Sequence, residues 1–312
     1  MYLFRLGPSV HVHAPAKVNL FFDVLRRRPD GYHDVNTLMS AVTLFDTLTL
    51  SPQPDEHVRV ECRWALGYRA RRVGTDGSAA LPAERDNIVW RALELFRQRA
   101  AIESGVLARL VKRIPVEAGL GGASSDAAAA LVAANEMWQT GWSGARLSEL
   151  AAELGSDVPF FLAGDSAICT GRGERVEPAP TAKLHFVLVK PPFGMPTANV
   201  YRACQPAGKE ASDITPMLQA ARRGDVANVA RNLMNRLRPT AENLQPRLGE
   251  IRRRISQVGG CGSEMSGSGS ACFAVCRHAR HARRTAARLA AQKLGTTWCV
   301  ATARVPDGGG AI

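Results

Sequence analysis

The chain is short of lysine, of tyrosine and of long apolar runs. Only six of its 40 basic residues are lysine, and it has four tyrosines in 312 residues. No apolar run approaches the roughly 18 residues that would point to a membrane-spanning helix. The first residues, "MYLFRLGPSVHVHAPAKVNL", carry no sustained apolar stretch behind a basic start, so no secretory signal is read there and the cytoplasm is the expected compartment. Seven cysteines, odd in number and without a C-x-x-C pair, argue against a disulfide framework and for reduced, mostly buried thiols. Cys272, Cys276, His278 and His281 have the right residue types for a metal, but they straddle a strand and a helix start without the paired spacing zinc takes. Three familiar nucleotide signatures are also missing. G-x-x-x-x-G-K-[ST] does not occur, Gly119 and Gly121 lack the third glycine of G-x-G-x-x-G, and neither H-R-D nor D-F-G is found.

What is present is an ordinary globular composition, with 46% hydrophobic and 22% charged residues, and a formal net charge of +12. Such a charge is compatible with a polyanionic partner. The arginine clusters, however, are dispersed and have no aromatics between them, so solvated faces are expected rather than a nucleic-acid groove. An anionic small substrate suits the charge equally well.

Along the chain, "VHVHAPAKVNLFFDVLRRR" alternates like an opening strand or bent pair broken at Pro15, and Asp30-Gly31 marks a turn. "TLMSAVTLFDTLTLSP" and "HVRVECR" are further strands, and the Arg- and Gly-rich stretch from Trp64 to Pro82 is a surface excursion. Asp86 is a candidate N-cap for the helix "IVWRALELFRQRA". A strand, "GVLARLVKRIP", then leads to "VEAGLGGASSDAAAA" and a helix from about Ser125 to Trp138. Later come helices "GARLSELAAELG", "ITPMLQAARRG", "VANVARNLMNRL" and "LQPRLGEIRRRISQVG", and strands "HFVLVKPP" and "WCVATARV". A strand pair surrounds "GSEMSGSGSACFAVC". Strands gathered early, helices later and no regular βαβ alternation imply an α+β fold in two lobes, residues 1–183 and 184–312, with the seam near Leu184.

The segment from Pro115 to Ser125 is the richest in chemistry. Glycines let successive backbone N–H groups converge on an anion, and the unpaired N–H groups and dipole of a helix start add to that attraction. Strand, Gly-Leu-Gly-Gly, Ser-Ser, helix is thus either a phosphate cradle or a loop whose helix is capped by Ser124 or Ser125. A second Gly-Ser turn, "MSGSGSACFAV", can bring further amides to the same anion or stand as a hairpin tip.

Three blocks together, "APAKVNLFFDVLRRRPDGYHDVNTLMSAV", "PVEAGLGGASSDAAAA" and "MSGSGSACFAV", resemble in order and spacing the three motifs of the galactokinase, homoserine kinase, mevalonate kinase and phosphomevalonate kinase superfamily. The first block is most similar to the branch acting on a cytidine-diphosphate-linked methylerythritol. The resemblance implies a two-lobed kinase that moves the γ-phosphoryl of ATP to the substrate's tertiary 2-hydroxyl in the inter-lobe cleft, with Mg²⁺. The phosphate loop would comprise Pro115, Val116, Glu117, Ala118, Gly119, Leu120, Gly121, Gly122, Ala123, Ser124 and Ser125, with Ser125 a candidate Mg²⁺ ligand. Gly267, Ser268 and Gly269 form the third motif. By position, Asp157 matches the catalytic aspartate and Lys17 the catalytic lysine, while Tyr32, His33 and Tyr201 match the groups that stack on and hydrogen-bond to the cytosine. Asn19 would contact substrate beside Lys17. In a chain that otherwise chooses arginine, Lys17 suggests a compact point charge. Lys112, Lys183, Lys190, Lys209 and Lys293 are expected at the surface. Two positions depart from the pattern: Glu117 stands where a small residue is usual and Ala123 where glycine is common. Glu117 is therefore expected to face solvent and Ala123 to have a negative φ. The rival class is a basic nucleic-acid-binding protein of related α+β build.

Overall fold

The computed structural model describes residues 1–66, 81–208 and 211–303. Most of the excursion expected from Trp64 to Pro82, together with Lys209, lies outside them. In chain order the first part holds β1 (Tyr2–Leu6), β2 (Ser9–Arg27), β3 (His33–Gln53), β4 (Val58–Trp64), α1 (Ile88–Ala100), β5 (Gly105–Lys112), α2 (Gly122–Met137), α3 (Gly144–Leu154), β6 (Ser166–Gly171) and β7 (Arg175–Pro178). The second part holds β8 (His185–Lys190), α4 (Thr197–Ala203), α5 (Thr215–Arg223), α6 (Val226–Arg231), β9 (Met234–Asn235), α7 (Arg238–Leu244), α8 (Pro246–Gln257), β10 (Gly262–Met265), β11 (Cys272–Cys276), α9 (Ala279–Ala291) and β12 (Thr296–Ala301).

Two sheets organise these elements. One runs β1-β2-β3-β5-β4, with β6 and β7 added beyond β3 and β9 pairing with β2; the other is β10-β11-β8-β12. The architecture is α+β, as the grouping of strands and helices implies. A core of β2, β3, β4 and β5 side chains packs under α1, α2 and α3, built on Leu48, Leu50, Leu93, Phe96 and Leu110. A second core lies between the sheets, where Val18, Leu20 and Leu38 meet Phe186, Leu188 and Phe273. A third covers the far face of the second sheet through Val187, Val189, Leu248 and Ile255. The alternation along β8 explains this: successive residues face opposite sides, and both sides are covered.

Several local expectations are corrected. β2 does not break at Pro15 but continues through it, the strand absorbing the proline at a register shift between Pro15 and Ala16. The cap of α1 is Asn87, whose side chain accepts from Val89 N, not Asp86. The stretch "VANVARNLMNRL" is not one helix: α6 ends at Arg231 and β9 pairs in parallel with Phe21 and Phe22 of β2. Lys112 and Lys190 are buried rather than at the surface. Lys190 donates to the carbonyls of Pro191 and Phe193 at 3.0 and 2.6 Å, which offsets its loss of water. Of the seven thiols three are buried, three half-buried and Cys299 exposed, and all are free. Among the described residues no helix is long and apolar enough to cross a membrane.

Candidate active site

α2 begins at Gly122, three residues earlier than the sequence indicates, and neither serine caps it. Its N-cap is Gly121 at φ +70°, and no side chain bonds to that end. The helix entrance therefore keeps its N–H groups for a ligand. Alanine, the best helix former, also lets the helix run deep: residues 125 to 134 are all buried. Gly119, also at φ +70°, lies so close to the third glycine motif that an added Cβ would sit 2.0 Å from the Ser266 carbonyl oxygen. A Cβ on Gly121 would be 2.9 Å from Cγ of Lys17, so this glycine makes room for the lysine stem.

The third motif is laced to the loop. Ser266 Oγ donates to the Gly119 carbonyl at 2.9 Å, and Ala271 N donates to the Ala118 carbonyl at 3.0 Å. Asn235 on β9, buried, donates to both the Met265 and Gly267 carbonyls at 2.8 Å. Gly267 and Ser268 line the cleft; Gly269 stands behind them, facing the sulfurs of Met265 and Met195.

Lys17, on β2, is 3% exposed. Its Nζ donates to Asn19 Oδ1 at 2.6 Å and lies 3.7 Å from Asp157 Oδ2. Asn19 is oriented in turn by donating to Thr37 Oγ1 at 2.9 Å, and Thr37 donates to the Phe21 carbonyl. Burial pushes the Lys17 ammonium below the ordinary lysine value, while the Asp157 carboxylate opposes that shift. Asp157 follows the end of α3 and keeps its side chain 38% exposed, open to the cavity.

Tyr32, His33 and Tyr201 line the same cavity. Tyr32 is 53% exposed, an uncommon state for so large a ring, and the Arg172 guanidinium lies 4.9 Å from its centroid. His33 and Tyr201 are neighbours, with ring centroids 5.4 Å apart. Burial pushes the Tyr201 hydroxyl well above its usual range. All these residues border one cavity of about 920 Å³, together with Pro115 to Ser124 of the loop. That size and its apolar walls with a few convergent polar groups suit a small-molecule site.

The two departures from the family pattern resolve differently. Ala123 lies within α2 and is not among the residues of positive φ, as expected. Glu117 is exposed at φ +50°, but it lines the cavity, against the expectation that it faces away from the cleft. Its carboxylate lies over Gly194, where a Cβ would come within 2.1 Å of Oε2. Ser125 is the one loop residue that does not border the cavity; its Oγ is buried and has no partner. Ser124 and Asp126 take its place on the wall.

Sequence reasoning missed the ion cluster beneath the loop. Lys112 Nζ donates to carboxylates of both Asp46 and Asp126, all three buried. Asp46 also accepts from the Ile114 backbone N–H at 2.9 Å, fixing the turn that launches the loop. Lys112 reaches the cavity wall close under Gly122. The scarcity of lysine that singled out Lys17 applied equally to Lys112, and Asp126 sits inside the motif itself. Arg172 over Tyr32 left no comparable signal.

Residues 87–165 match the family described as GHMP kinases N terminal domain, and residues 217–294 that described as GHMP kinases C terminal. A 4-diphosphocytidyl-2-C-methyl-D-erythritol kinase of Pelotomaculum thermopropionicum is 46% identical over 277 residues, 88% of this chain and 92% of that protein. The crystal structure of a 4-(cytidine 5'-diphospho)-2C-methyl-D-erythritol kinase superposes with a TM-score of 0.75 at 36% identity, covering 93% of this chain and 98% of that one. A homoserine kinase from Cytophaga hutchinsonii, at 19% identity and a TM-score of 0.73, shares the fold. By this likeness over nearly its whole length, the chain belongs to the 4-diphosphocytidyl-2-C-methyl-D-erythritol kinase family.

Proposed function

We propose that the protein phosphorylates the 2-hydroxyl of 4-diphosphocytidyl-2-C-methyl-D-erythritol with ATP, a step in non-mevalonate isoprenoid precursor synthesis. The observation that carries this reading is the Lys17–Asp157 pair, 3.7 Å apart, in a cavity bordered both by a helix entrance without a side-chain cap and by Tyr32, His33 and Tyr201. The helix entrance and the Gly119–Gly122 backbone would receive the ATP phosphates. The aromatic side would receive the cytosine, which stacks with little loss of side-chain entropy.

In the transfer, Asp157 accepts the proton of the acceptor hydroxyl as the oxygen–phosphorus bond forms, and ADP leaves with the electrons of the broken bond. Lys17, held by Asn19, sits beside Asp157 and offsets charge on the transferring group. Oxygen donors suit Mg²⁺, and Ser124 and Asp126, which border the cavity where Ser125 does not, are the side chains of the helix entrance that could hold it. Bound with ATP, the ion would neutralise phosphate charge.

The test is direct. The chain, ATP, Mg²⁺ and the cytidyl substrate should give ADP and the 2-phosphorylated product in equal amounts, seen by ³¹P resonance. ATP turnover that ignores the cytidyl substrate but responds to another small alcohol would move the chain's activity elsewhere.

A further inference from the structure

A second concave site lies away from the cleft, along α9. From residue 265 to 306 the sequence contains no aspartate or glutamate, yet it carries Arg277, Arg280, Arg283, Arg284, Arg288, Lys293 and Arg304. The structure places four of these arginines, with His278, His281 and Thr285, around a groove of about 480 Å³ that shares no residue with the cleft.

The arrangement follows from helical spacing. His281, Arg284 and Arg288 recur at intervals of three and four, so they share one face over about 10 Å of α9 at 1.5 Å per residue, and Arg277 stands just before the helix. Arg280 flanks them one turn from Arg284. Both histidines are committed to the groove's architecture. His278 Nδ1 accepts from His281 N at 3.1 Å, while His281 Nδ1 accepts from Arg277 N at 3.2 Å and its Nε2 donates to the Gly259 carbonyl at 2.6 Å. With each Nδ1 an acceptor, the groove's charge comes from the guanidinium groups. Among the described residues no carboxylate forms an ion pair with Arg277, Arg280, Arg284 or Arg288, whereas arginines elsewhere, such as Arg5, Arg109, Arg252 and Arg254, do. Like charges one turn apart repel, and this concavity gathers them along α9, from just before its start to its last turn.

We infer that the α9 groove is a second anion site that takes a diphosphate group. The four guanidinium groups oppose the several negative charges that a diphosphate keeps near neutral pH. The planar fork of arginine pairs with phosphate oxygens two at a time. The volume suits a small molecule, whereas a nucleic acid would track a longer, aromatic-lined surface. The site stands independently of the reaction assigned to the cleft.

Calorimetric titration of the full chain with inorganic pyrophosphate, the cleft filled by a non-hydrolysable ATP analogue, reads it out. One binding event is expected, weakened at least about tenfold in the double variant Arg280→Glu, Arg284→Glu. Because both arginines are exposed, that variant should fold and keep the native kcat and KM for ATP. A parallel titration with uridine diphosphate separates sources: equal affinity identifies a diphosphate ester as ligand, and binding of pyrophosphate alone the free ion. Three results would overturn the inference: no binding beyond the cleft, equal affinity in the double variant, or equally tight binding of sulfate. Salt-sensitive RNA binding without pyrophosphate binding would also overturn it and make the groove a nucleic-acid contact.

Discussion

Lys17 shows how one position can carry several physical demands. It is buried, so its ammonium needs partners, and it has Asn19 and Asp157 within reach. Burial lowers its pKa from 10.5, so it loses its charge at a lower pH than a free lysine would. If that charge offsets the charge on the transferring group, the alkaline limb of kcat should fall below pH 10.5. A limb at or above that value would separate the charge on Lys17 from the chemical step. Asp157→Asn keeps the shape of the side chain and removes the base, so kcat should drop by roughly 10²- to 10⁴-fold with little change in KM for ATP. Wild-type turnover in that variant would take Asp157 out of the mechanism. The identities of Lys17 and Asp157 were legible from motif position. Their partner Thr37 was not, because it stands on another strand, and only the β2–β3 register brings it beside Asn19.

At the scale of elements, the phosphate loop was legible as glycines before an alanine helix, but its use of them was not. Serine beside a helix start is a sound cap signal, yet the helix begins before both serines, and Gly121 at positive φ takes the cap position. Whether glycine is demanded by conformation or by proximity is a tertiary fact, and Gly119 is constrained by both. Gly119→Ala would place a Cβ 2.0 Å from the Ser266 carbonyl oxygen. Strain of this kind costs about 1–3 kcal/mol, and the two laced loops must also part. A lower urea midpoint with a raised KM for ATP is expected. An unchanged midpoint and KM would show that the loops are not held in this contact. β9 makes the complementary point. Two residues are too few for a periodic signal, yet Asn235 on β9 anchors the third glycine motif.

Across the whole molecule, segments from the later part of the chain are tied to the first sheet by more than apolar packing. Asp23 of β2, fully buried, forms an ion pair with Arg236 and accepts from the Ser212 backbone N–H at 2.8 Å, tying the region around β9 and the stretch after α4 to the first sheet. Removing one partner of a buried pair strands the other, so Asp23→Ala should cost about 3–5 kcal/mol, read as a shift in urea unfolding. A cost below about 1 kcal/mol would mean that the pair is not a strut between β2 and the segment after β9. The α+β class, the three glycine- or lysine-bearing blocks and their family were legible in the sequence, because they rest on local patterns that survive without neighbours. The tertiary structure alone decided that Lys112 and Lys190 are buried, that β2 passes through Pro15, that β9 returns to β2, and that Arg277 and three arginines of α9 share one concavity. Each of these depends on what packs or hydrogen-bonds across long sequence separation. That information lies in the meeting of distant segments rather than in the spacing along any one of them.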